Sequence, residues 1–158
     1  MQDPKEILIN LLTANLSVTK DDNATKANVV ITSQWYSDQV MASFDALVTV
    51  GTLTDPINPA GFGFVGGEDH TYMADVNVWT TNKYGASGAR VITDEVIRYK
   101  IVQAISQIIT ENYTSIPGIH RARIRAYRDL DDPSAVPYPL RRSNFEVELF
   151  FSRTSLAA

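Results

Sequence analysis

The sequence predicts an α+β fold, a mainly antiparallel β-sheet packed against one long helix and an N-terminal helix. Residues 93–112, TDEVIRYKIVQAISQIITEN, form the longest helical pattern in the chain. Alternating, β-rich segments are grouped before and after it, and a second helical pattern opens the chain at Pro4. Strands clustered on both sides of one helix, rather than alternating with helices one by one, point to antiparallel pairing.

The opening helix spans Pro4–Asn15. Asp3 supplies a cap, Pro4 suits the first helical position, and Glu6 stands three residues after the cap, as in a capping box. Ile7, Leu8, Leu11, Leu12 and Ala14 make a broad apolar face, with Ile9 and Leu16 off it, where they meet the following segment or another subunit. Residues 17–27 are polar and read as an exposed loop. Residues 28–33, NVVITS, form a compact strand, and residues 34–38, QWYSD, a turn with two aromatics. Residues 39–53 read as a long strand or a strand with a bend: Val40, Ala42, Phe44 and Ala46 alternate, and a bulge near Asp45 accounts for the phase shift that follows.

Residues 54–69 contain two prolines and four glycines and predict an extended loop, of a length usually functional or mobile. Residues 70–81 form a strand with Ala74, Val76 and Val78 on one face and Met73, Asp75, Asn77 and Trp79 on the other. Residues 82–89 link it to the long helix. There Thr93 is a candidate cap, Asp94 and Glu95 favour the positive end of the helix dipole, and Ile97, Ile101, Ala104, Ile105 and Ile108 form one apolar stripe flanked by Val102 and Ile109. Tyr99, Gln103, Ser106, Gln107 and Thr110 occupy the opposite face, either solvated or set against a neighbouring subunit. Many of these side chains are β-branched, so tertiary packing must help hold this helix.

After a turn at residues 115–118, residues 119–129 alternate strictly, with Ala122, Ile124 and Ala126 facing one way and Arg121, Arg123 and Arg125 the other. Residues 130–140 hold three prolines and form a second extended loop. The last strand, residues 143–152, turns Phe145, Val147, Leu149 and Phe151 inward and Glu146, Glu148 and Phe150 outward.

The 158 residues read as a single domain, 1–158, long enough to bury about two-thirds of the unfolded surface. A net charge of −4 gives the whole molecule no general attraction to nucleic acid, and the lack of cysteine removes disulfides and thiolate metal sites. The opening MQDPKE does not look like a signal peptide, and no apolar run approaches the roughly 18 residues of a membrane span.

Candidate chemistry is sparse. GFGFVG at residues 61–66 has the letters of a dinucleotide fingerprint, but a proline loop precedes it and no helix follows to hold a pyrophosphate. Phe62 and Phe64 read instead as loop-tip side chains that become buried against a partner. Glu68, Asp69, His70 and Asp75 match no metal-ligand spacing, and two histidines leave little material for a catalytic triad. The reading is therefore of a protein that is not an enzyme and carries no cofactor. The strongest polar signal is Arg121, Arg123 and Arg125, with Arg128 beyond. Glu146 and Glu148 on an antiparallel neighbour can pair with them locally; a phosphate-binding stripe and a contact with acids of another subunit are the alternatives. Asp131 and Asp132, in the adjoining loop, join them as candidate interface positions.

This order of elements resembles the tail-terminator (tail-completion or neck) proteins of long-tailed bacteriophages and related viruses. The resemblance is carried by the helix DPKEILINLL, the strand NVVITS, the strand ending VNVWTTN, the helix VIRYKIVQAISQII, the arginine-bearing strand and the closing strand FEVELFFSR. It covers most of the chain as a pattern of elements, without an invariant motif. It implies a virion protein of the tail or neck, assembled in the host cytoplasm into a homo-oligomeric ring, commonly a hexamer. Such a ring stops tail-tube polymerisation, docks to the head–tail connector, lets DNA pass through without binding it specifically, and has no membrane partner. Other neck or minor tail proteins share similar folds, and the alternative of another class is a nucleic-acid-binding α+β module using the arginine face. The family offers no catalytic residues to carry over.

Overall fold

A computed structural model of the protein describes residues 3–54, 57–59, 67–131 and 140–154. The chain runs through α1 (Pro4–Asn15), β1 (Val29–Thr32), α2 (Asp38–Ser43), β2 (Ala46–Thr54), β3 (Ile57–Pro59), β4 (Gly67–Thr80), β5 (Lys83–Tyr84), β6 (Arg90–Ile92), α3 (Asp94–Glu111), β7 (Arg121–Asp129) and β8 (Arg141–Thr154). The main sheet has the order β1-β2-β4-β8-β7, with β3 beside β4. Only the β1–β2 pair of this sheet is parallel among the described residues; the other pairs are antiparallel. The predicted α+β class is the observed one.

Period-two alternation places the core. Ala74, Val76 and Val78 of β4 and Phe145, Val147, Leu149 and Phe151 of β8 are buried on one sheet face. Against them lie Ile97, Ile101, Ile105, Ile108 and Ile109 of α3 and Leu8 and Leu12 of α1. Each of the Val, Leu, Ile and Phe side chains among them contributes roughly 1.5–3 kcal/mol by leaving water, which is what holds a β-branched helix in place. Ile9 and Leu16, off the α1 stripe, are partly buried against the same core, whereas Ala14 is exposed. Asp3 caps α1 through the Lys5 N–H at 2.9 Å.

Thr93 precedes α3 without capping it. Its N–H and hydroxyl both donate to Asp21, at 2.9 and 2.7 Å, while the first α3 amide, that of Asp94, donates to Asn82. The polar segment 17–27 is thereby tied to the helix. It also contains a Thr19–Lys26 bridge and buries Val18 and Ala27, so it is more ordered than its composition suggests.

Four local expectations are corrected. The predicted strand at 39–53 is instead α2 followed by β2, because Met41 turns into a small cluster with Leu47 and Trp79 on the second sheet face. The loop expected at 54–69 contributes β3 and the start of β4, since Ile57–Pro59 pair with Glu68–His70. The link at 82–89 holds part of a two-stranded hairpin, β5 with β6, whose turn uses Gly88 at φ 83°. In β7, the register slips between Ile124 and Ala126, leaving Arg125 as a bulge. Ala126 then moves to the arginine face and Tyr127 takes the core-side position, its ring 5.0 Å from that of Phe145.

Candidate interface on the arginine strand

β7 is an edge strand, and β8 fixes what its arginines meet. The register sets Arg123 opposite Glu148, and its Nε donates to the carboxylate at 2.9 Å. Arg121 and Arg125 approach the same carboxylate at 3.9 and 3.8 Å. The bulge is what allows the third contact: as the extra residue, Arg125 keeps its side chain on the outer face beside Arg123. Glu148 is only 7% exposed, so one nearly buried carboxylate is surrounded by three guanidinium groups. Arg128 lies 3.4 Å from Glu146. The cross-strand pairing expected from the period of the two strands is present, at about 0.2–1 kcal/mol per pair.

That pairing does not use up the charge. Four arginines share two glutamates, and their side chains remain 46–56% exposed. The sequence matches no protein-family model and no curated protein at a significant level. The surface must therefore be read from its own geometry.

Asp131 sits differently from the arginines. It accepts from Arg98, from Arg141 at 3.1 Å and from the Arg142 N–H at 3.1 Å. Arg141 reaches on to Asp94 at 3.2 Å, so this network ties the start of α3 to the start of β8. The hydrogen bonds from Arg141 to Asp131 and Asp94 raise the pKa of the guanidinium further. Next to it, burial would lift the Asp129 carboxyl, but hydrogen bonds from Tyr127 and Ser143 and the charge of Arg98 outweigh it and hold the group below its usual value. Burial and the bond to Asp129 raise the Tyr127 phenol. Phe62, Phe64 and Asp132 lie outside the described residues.

The second sheet face carries features the linear pattern did not reveal. The Arg142 guanidinium lies 4.8 Å from the Trp79 ring centroid and 5.2 Å from that of Trp35, and its Nε donates to Asn77 at 2.8 Å. Asn144 joins the row by donating to Asp75 and Asn77. Cation–π contacts between residues far apart in sequence have no local signature. His70, weighed as a metal ligand, is buried and stacked on Phe151 at 4.7 Å. No group of three or more metal-capable side chains occurs among the described residues.

On the helix side of β7 there is an open groove of about 1300 Å³ between that strand and α3. Val102, Ile109, Ala122, Ile124 and Phe145 line its apolar part. Tyr99, Tyr113 and Tyr127, all exposed, stand around it. The α3 residues Tyr99, Gln103, Ser106 and Thr110 form one wall, with Glu111 at the end of the helix, and Arg121 and Arg123 also border the opening. This surface suits a macromolecular contact: rigid aromatic rings offer area at little entropic cost, and arginines provide a polar rim.

Proposed function

We propose that this protein is a structural virion protein, a ring-forming tail terminator that caps the tail tube and joins it to the head-proximal connector. The observation that carries the reading is the edge strand β7, whose four half-exposed arginines outnumber their two glutamates and border a tyrosine-rimmed apolar groove. An edge strand with spare charge and a recess beside it is a liability in a protein that works alone and an asset in one that assembles. The order of elements, which resembles the tail-terminator pattern, supports the same reading. A ring subunit needs lateral contacts and two axial faces for different partners, and a heterologous contact closes into a ring when its rotation permits.

The test is assembly. Light scattering and electron cryo-microscopy of the protein mixed with its tail-tube protein should give a closed, symmetric oligomer at the end of the tube. A monomer that leaves tube length unchanged would overturn the reading. One observation favours a second function, phosphate binding: the arginines remain half exposed. If that were their use, DNA binding at low salt would fall steeply with added salt and weaken when Arg121, Arg123 and Arg125 become alanine. The acidic net charge of −4 and the glutamates among the arginines weigh against it.

A further inference from the structure

The main sheet ends in two open edges, β1 on one side and β7 on the other. Among the described residues, one backbone bond lies on the outer side of β7, from the Ala122 N–H to the Tyr113 carbonyl, and none lies on the outer side of β1. Unpaired strand edges are templates for a further strand. The pairings also fix direction. β1 is parallel to β2, and three antiparallel steps, β2–β4, β4–β8 and β8–β7, follow, so β7 runs opposite to β1. A second copy set beside the first in the same orientation would bring its β1 to β7 as an antiparallel pair. Its helices would lie on the same side of the extended sheet.

The two edges also differ in charge. Residues 3–45, which hold α1, the 17–28 segment, β1 and α2, contain six carboxylates and three lysines. Residues 113–130, around β7, contain four arginines and one carboxylate. Each edge has a recess on its flank. The groove at β7 holds about 1300 Å³, and a smaller one of about 330 Å³ at β1 is bordered by Leu16, Val18, Val29, Ile31 and Phe44. Like edges cannot meet as well as unlike ones, since β7 against β7 would oppose two arginine rows and would leave β1 uncovered.

We propose that the β7 edge and its groove receive the β1 edge of a second copy of this chain, head to tail, so that one sheet continues from subunit to subunit. The proposal rests on the assembly reading above in taking the occupant to be another copy, and it adds which two surfaces meet and in what direction. The arginine-bearing edge meets the net-acidic residues 3–45 of the neighbour, and the end of α1 approaches the tyrosine-rimmed groove.

The chain has no cysteine, so introduced thiols report contacts without background. Ala126→Cys marks β7, and Asn28→Cys and Ser33→Cys mark the two ends of β1; all three positions are exposed. A mixture of the β7 variant with either β1 variant, treated with a short bis-maleimide, should give a covalent dimer that neither variant gives alone. The double variant Ala126→Cys/Ser33→Cys should give a ladder. Added salt at about 0.5 M should lower the yield several-fold, because the Debye length falls to a few ångströms. Matching circular dichroism spectra show that the variants fold. Self-association in light scattering with no mixed product, or with product from Ala126→Cys alone, would overturn the edge pairing and leave the ring reading standing. Monomers with no mixed product would also overturn it, and the tube-protein experiment then decides the ring reading on its own.

Discussion

Glu148 compensates Arg121, Arg123 and Arg125 at once, and it is nearly buried. Removing its charge should destabilise the fold by more than an ordinary surface pair does, yet by less than the 3–5 kcal/mol of a fully buried pair, because the arginines keep water contact. Urea denaturation of Glu148→Gln at neutral pH should show a loss of about 1–2 kcal/mol. Tyr127 and Asp129 form a second residue-scale unit, with the phenol donating to the carboxylate at 2.6 Å. The folded Asp129 pKa is lowered, so its stabilisation is present above the ordinary carboxylate value, near pH 4, and is lost as pH falls through the folded value. The Tyr127 pKa is raised, so its stabilisation is full below about pH 10 and is lost as pH rises through the folded value. Urea midpoints of the wild type and Tyr127→Phe, compared across the pH range, should differ most near pH 7, and the difference should narrow as the pH falls below about 4 and as it rises above about 10. Asp22, held at about 2 by the Thr25 hydroxyl and the Ala24 and Thr25 amides, adds to the acid limb of both proteins and cancels in the comparison.

At the scale of elements, the bulge in β7 separates what alternation encodes from what pairing decides. Strict alternation over residues 119–129 predicted Ala126 on the core side, but β8 offers Phe145 there and Tyr127 fills the place. A ring against a ring buries more area than a methyl group, and one extra residue is a small cost for that gain. Deleting Arg125 should regularise the strand and keep Tyr127 on Phe145, with thermal stability close to that of the wild type. Deleting Arg123 should instead turn Ile124 outward and Arg125 toward the core, lowering the melting temperature by at least about 10 °C, since a one-residue slip reverses the faces. The same competition explains α2. Val40, Ala42 and Phe44 alternate as a strand would, but Met41 finds its burial beside Leu47 and Trp79, contacts that local periodicity cannot register.

For the whole molecule, the sequence alone determined the α+β class, the α1 and α3 stripes and the inward faces of β4 and β8, and it offered the pairing of the β7 arginines with β8 glutamates as one of three readings. These follow from period and polarity, which are local properties and survive in any packing that buries the apolar face. Only the tertiary structure decided that β7 and β1 are the two edges of one sheet and run in opposite directions, and that α3 leaves a groove beside β7. It likewise decided that Asp131 is engaged with Arg98 and Arg141, and that Arg142 lies against the rings of both Trp35 and Trp79. Each depends on which strands become neighbours. That choice is made by the summed burial of side chains far apart along the chain, and no single stretch of sequence carries it.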